Sequence, residues 1–87
     1  MRIFHTEVFR KDFHDLPKEI QQMAVKKLEL FGDNPHHPSL RTKKMEGLKN
    51  IWEGRITDGY RFTFHVEKDV YLLRRIGTHD ILRREKR

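Results

Sequence analysis

The chain has 87 residues and no cysteine, which excludes a disulfide framework and thiolate chemistry and fits a reducing compartment, with the cytoplasm as the expected location. Nineteen Lys and Arg against 13 Asp and Glu leave a formal net charge of +6, which favours an anionic partner: nucleic acid, an acidic protein or a membrane surface. The length suits one domain over residues 1–87 that buries roughly 60–65 % of its extended surface, and no run of about 18 apolar residues or signal-like apolar region argues for a membrane span or export.

Met1 to His5, with Ile3 and Phe4, reads as a first strand, and Thr6 is placed to N-cap a helix beginning at Glu7. Phe9, Phe13 and Leu16 recur at helical spacing, and Pro17 separates this helix from a second one. From Lys18 to Phe31 the residues Ile20, Met23, Ala24, Leu28 and Phe31 form one apolar stripe, and Gly32, Asp33, Asn34 and Pro35 end the helix. His36 and His37 in the next loop raise the question of a metal, but adjacent histidines point apart and lack companion ligands, so no metal or other cofactor is expected. Ser39 to Met45, before Gly47, reads as an extended edge strand protected by Arg41, Lys43 and Lys44. Those charges also suit the track of a phosphate backbone.

Ile51 to Asp80 reads as three consecutive antiparallel strands. Trp52, Gly54 and Ile56 share one face of the first, and Tyr60, Phe62, Phe64 and Val66 make an apolar set on the second. A two-residue Asp58-Gly59 loop would put Ile56 on the face of Arg61, whereas a three-residue Thr57-Asp58-Gly59 loop, closed by a left-handed glycine, keeps the apolar residues together. That register sets Arg55 directly across from Arg61, with Glu53 across from Thr63. Opposed like charges cost up to about 1 kcal/mol, so the pair is read as serving an external anion, phosphate above all. The bland alternative is a solvated basic face partly neutralised by Glu53. The next hairpin has two readings: a Glu67-Lys68-Asp69 loop brings Arg75 to the cluster, and a Lys68-Asp69 loop brings Arg74. Gly77-Thr78 ends the last strand, Thr78 N-caps a short helix through Leu82 with His79 in its first turn, and Arg83 to Arg87 make a basic tail. The expected architecture is α+β: an antiparallel or mixed sheet of four to five strands, two N-terminal helices on one face and a short C-terminal helix.

The segment Trp52-Glu53-Gly54-Arg55-Ile56-Thr57-Asp58-Gly59-Tyr60-Arg61, followed by Gly77-Thr78-His79-Asp80, resembles the RelE/ParE superfamily of toxins from bacterial toxin–antitoxin systems, and the likeness extends over nearly the whole chain. The hairpin is similar to that of YoeB- and RelE-type members, and the closing segment to YafQ- and HigB-like members. The resemblance implies a ribosome-dependent, metal-independent endonuclease that cuts messenger RNA, inhibits translation and is restrained by a cognate antitoxin protein. It places catalytic roles on Arg55, Arg61 and His79; Arg75, which one register of the second hairpin brings to the cluster, is a weaker third candidate for phosphate stabilisation. Arg41, Lys43, Lys44, Lys49, Arg74 and Arg83 are the basic residues expected to bind RNA. ParE-type members share the fold but act on DNA gyrase, and a basic module that binds RNA without cutting it has the same charge pattern. The general base stays open among His79, Glu53 and groups outside these.

Overall fold

The computed structural model of the chain describes residues 1–85. Its elements are β1 (Arg2–His5), α1 (Glu7–His14), α2 (Lys18–Asp33), β2 (Lys43–Lys44), β3 (Ile51–Arg55), β4 (Tyr60–Glu67), β5 (Val70–Thr78) and α3 (Asp80–Glu85), with a 3₁₀ turn at Pro38–Leu40. The strands form one mixed sheet in the order β1-β5-β4-β3-β2, with β1 parallel to β5 and the other pairs antiparallel. This is the expected α+β architecture.

The first hairpin has the register that apolar parity demands. Arg55 pairs with Arg61, Gly54 with Phe62 and Trp52 with Phe64, and the Ile56 N–H donates to the Tyr60 carbonyl at 3.0 Å across the three-residue loop. Gly59 is not left-handed; its N–H instead donates to Thr57 Oγ1 at 3.2 Å, so the hydroxyl closes the turn. Ile56, Phe62 and Phe64 bury with Phe9, Leu16, Ala24 and Phe31, so both N-terminal helices cover this one face. Phe31 meets the rings of Phe62, Phe64 and Tyr71 edge-on, a favoured arrangement of ring quadrupoles. Gly54 is dictated by that packing: a Cβ there would sit 2.4 Å from Phe62 Cζ.

Several expectations fail locally. Met23 is 46 % exposed rather than part of the buried stripe. α2 continues through Gly32 to Asp33, where the Asn34 N–H donates to the Leu30 carbonyl at 2.8 Å. Trp52 is half-buried, stacked on Phe64 with His36 against its edge. The Ser39 to Met45 segment is extended for two residues only, since the 3₁₀ turn takes in Ser39 and Leu40 and Arg41 adopts a left-handed backbone, φ 47°.

The largest departure is in the second hairpin. Its loop is Lys68-Asp69, with Lys68 at φ 54°, and a bulge then inserts Arg74 between Leu73, opposite Phe64, and Arg75, opposite Thr63. The extra residue sets Gly77 opposite Arg61 and gives the place opposite Thr63 to Arg75 in place of Arg74, so neither arginine faces Arg61. The bulge is held from outside the sheet. β1 pairs only as far as Leu73, and there the Thr6 hydroxyl takes over, accepting from the Phe9 N–H as helix cap and donating to the Arg74 carbonyl, both at 2.9 Å. One turn further along α1, the Asp12 carboxylate accepts from Arg75 and from the Ile76 N–H, filling the edge that β1 leaves open.

Beyond β5 the chain turns back as α3 onto the other face. Ile81 closes over Gly77, where a Cβ would lie 3.0 Å from Ile81 Cγ2, and Glu85 pairs with Arg74. α3 begins at Asp80 and runs to Glu85, so His79 precedes the helix instead of lying within its first turn. Of the expected basic tail, residues 86 and 87 lie outside the described residues.

Candidate functional site

On the face away from α1 and α2, five segments of the chain converge. A cleft of about 360 Å³ is lined by Arg41 after the 3₁₀ turn, Lys43 of β2, Glu53, Gly54 and Arg55 of β3, Arg61 of β4 and His79 between β5 and α3. Strand alternation sends Glu53, Arg55 and Arg61 to this face, opposite Trp52, Phe62 and Phe64.

The two arginines are held differently. Arg61 is only 7 % exposed, and its Nη1 donates to the carbonyls of Thr57 at 2.7 Å and Asp58 at 2.6 Å. The loop carbonyls therefore offset the repulsion expected between opposed arginines, and they fix one edge of the Arg61 guanidinium. Arg55 is loosely held: Nη1 is 3.4 Å from the carboxylate of Asp58, which is fully exposed, and its buried Nε has no hydrogen-bond partner among the described residues. Thr63, on the same face, is fully buried, and its hydroxyl has no partner among the described residues. Glu53 is within 4.0 Å of no cationic group among the described residues. The arginine face is thus neither simply solvated nor neutralised by Glu53.

Of the expected site residues, the cleft gathers Arg41, Lys43, Arg55, Arg61 and His79. Lys44 lines an adjoining depression with Lys43 and Glu53, and Arg83 lines another with His79. Lys49 is exposed on the loop before β3, outside all three linings. Arg74 and Arg75 are committed elsewhere, to Glu85 and Asp12, and neither lines the cleft. Sequence reasoning missed Glu46, which lines the depression with Lys44, and Asp12, whose partners lie more than 60 positions away along the chain with no local signal to announce them. No group of three His, Asp or Glu side chains among the described residues is arranged to hold a metal ion.

No family model matches the chain. It is 37 % identical over 57 residues to an Escherichia coli protein named for its likeness to RelE toxins; the match takes in 64 % of this chain and 57 % of that one, so the chain spans little more than half the length of the relative. Among solved structures, it is similar to a chain of the RelB-RelE antitoxin-toxin complex from Methanococcus jannaschii, with a TM-score of 0.77, 21 % identity and coverage of 93 % of this chain and 95 % of that one. The YoeB/ParE toxin from Agrobacterium tumefaciens superposes with a TM-score of 0.75 at 15 % identity over 91 % and 99 % of the two chains. A chain of the E. coli DinJ-YafQ toxin-antitoxin complex gives 0.74 at 18 % identity over 92 % and 93 %. The chain therefore has the fold shared by RelE, YoeB and YafQ toxins. The resemblance read from the hairpin and the closing Gly-Thr-His-Asp segment extends to the whole architecture.

Proposed function

We propose that this chain is the toxin of a toxin–antitoxin pair and acts as a ribosome-dependent, metal-independent endonuclease on messenger RNA, thereby inhibiting translation. The observation that carries the reading is the buried Arg61, locked by its own hairpin loop beside a loosely held Arg55, in a cleft that also holds an imidazole and an unpaired carboxylate. Cutting RNA with side chains alone needs a base for the 2′-hydroxyl, cations around the phosphate and an acid for the leaving oxygen. The 2′-oxygen, losing its proton, bonds to the adjacent phosphorus; the bond from phosphorus to the 5′-oxygen breaks, and that oxygen takes up a proton. Arg61 and Arg55 stabilise the charge that builds on the phosphoryl oxygens, because guanidinium forks match their geometry. His79 acts as one proton-transfer group, and Glu53 is the acceptor available for the other.

A cognate antitoxin suits the +6 charge, and two of the solved relatives are chains of toxin–antitoxin complexes. Primer extension on message translated with and without the purified protein tests the activity: new 5′ ends that disappear with Arg61→Ala are expected. Intact message in the presence of folded wild-type protein would overturn the nuclease reading, and inhibition of gyrase instead would assign the ParE-type activity.

A further inference from the structure

We infer that the depression beside the arginine cleft is a nucleobase subsite that favours bases bearing an exocyclic amino group over uracil. The inference rests on the reading of the cleft as an RNA site and adds what lies next to the bound phosphate. The depression, about 330 Å³, is lined by Lys43, Lys44, Met45, Glu46 and Glu53, and it shares Lys43 and Glu53 with the cleft. A strand with its phosphate at Arg55 and Arg61 thus has a neighbouring nucleotide over this hollow.

Its lining is wrong for a second phosphate and right for a base. Two of its five residues are carboxylates, and neither Glu46 nor Glu53 is within 4.0 Å of a cationic group among the described residues, even though Lys43 pairs directly with Glu53 across the strands. Free carboxylates repel phosphate and accept hydrogen bonds only. Met45, 6 % exposed and hydrogen-bonded through its N–H to the Ile51 carbonyl at 2.9 Å, adds an apolar part anchored in the β2–β3 edge. Single-stranded RNA is read on the Watson–Crick edges of unstacked bases. Adenine, cytosine and guanine each present an amino donor there. Uracil presents one N–H between two carbonyl oxygens, which a carboxylate repels. Lys43 and Lys44 serve the flanking backbone.

Glu46 separates the two functions, since it lines the hollow but not the cleft. Short RNA oligomers 2′-O-methylated against cleavage, with each base exchanged in turn, are titrated by fluorescence anisotropy against wild type and Glu46→Gln. At one position uracil should weaken binding to wild type about tenfold, the scale of a hydrogen bond to a charged group. Glu46→Gln, whose amide also donates, should narrow that ratio. Equal binding of all four bases at every position, or an unchanged ratio in Glu46→Gln, overturns the inference. Cleavage without base preference removes the subsite and leaves the nuclease reading standing; preference without cleavage does the reverse; failure to bind RNA removes both.

Discussion

Asp12 and Arg75 lie 63 residues apart and meet through two hydrogen bonds of 2.7 and 3.1 Å, while the same carboxylate accepts from the Ile76 N–H. One side chain thereby fastens α1 to the stretch of β5 that β1 does not reach. Asp12→Ala leaves a half-buried guanidinium and a strand N–H unpaired, and should cost about 2–4 kcal/mol. Urea denaturation should show a lower midpoint with an unchanged slope. A variant as stable as wild type would mean that solvent replaces all three bonds.

Gly54 is a steric requirement of the core. Any side chain there meets the Phe62 ring, so Gly54→Val must displace Phe62 and, through it, Phe31. The expected cost is about 3 kcal/mol or more. Trp52→Ala, at a half-buried position, should cost less than a full core truncation, about 2–3 kcal/mol. Thermal unfolding of both variants checks the order.

Arg61 and His79 should fail in different ways. Arg61→Lys keeps the charge, but one ammonium cannot both hold the loop carbonyls and present a fork to phosphate, so the rate should fall with an unchanged pH profile. His79→Gln keeps hydrogen bonding but cannot move protons. It should lose one limb of the pH–rate curve and about 10²–10⁴-fold in rate. Single-turnover cleavage on programmed ribosomes from about pH 5 to 9, a range in which histidine titrates and arginine does not, distinguishes them. Wild-type kinetics in His79→Gln would move the proton transfer to Glu53 or to a ribosomal group.

Asp58 stands in for an anion at Arg55. Its carboxylate is fully exposed and 3.4 Å from Nη1, so a phosphate bound at Arg55 would displace it at little cost. Asp58→Asn should tighten binding of a non-cleavable RNA oligomer by about two- to fivefold at low salt, and the gain should fade as salt rises. Unchanged affinity at low salt would show that Arg55 is not restrained by Asp58.

What could be read from the residues alone follows from range. The β3–β4 register was legible because only one loop length puts Ile56, Tyr60 and Phe62 on one face, and the Arg55–Arg61 pair came with it. The β4–β5 register was not, because the bulge at Arg74 is imposed by Thr6 and Asp12 from the far end of the chain. That extra residue gives the place opposite Thr63 to Arg75 in place of Arg74, and the carboxylates of Asp12 and Glu85 then hold the two arginines out of the cleft. Met23 matched the helical stripe of α2 yet is exposed, since periodicity finds a face without finding its width. Glu46 gave no signal because it has meaning only beside Glu53 and Lys43.

The bonds from Arg61 to the carbonyls of Thr57 and Asp58 make this cleft arginine a strut of its own hairpin. Fraying of the loop would release the guanidinium, and a substrate that pulled on the guanidinium would strain the loop. Order in the cleft and order in the turn are therefore coupled, and whatever grips Thr57 or Asp58 from outside shifts the carbonyls that position the Arg61 guanidinium.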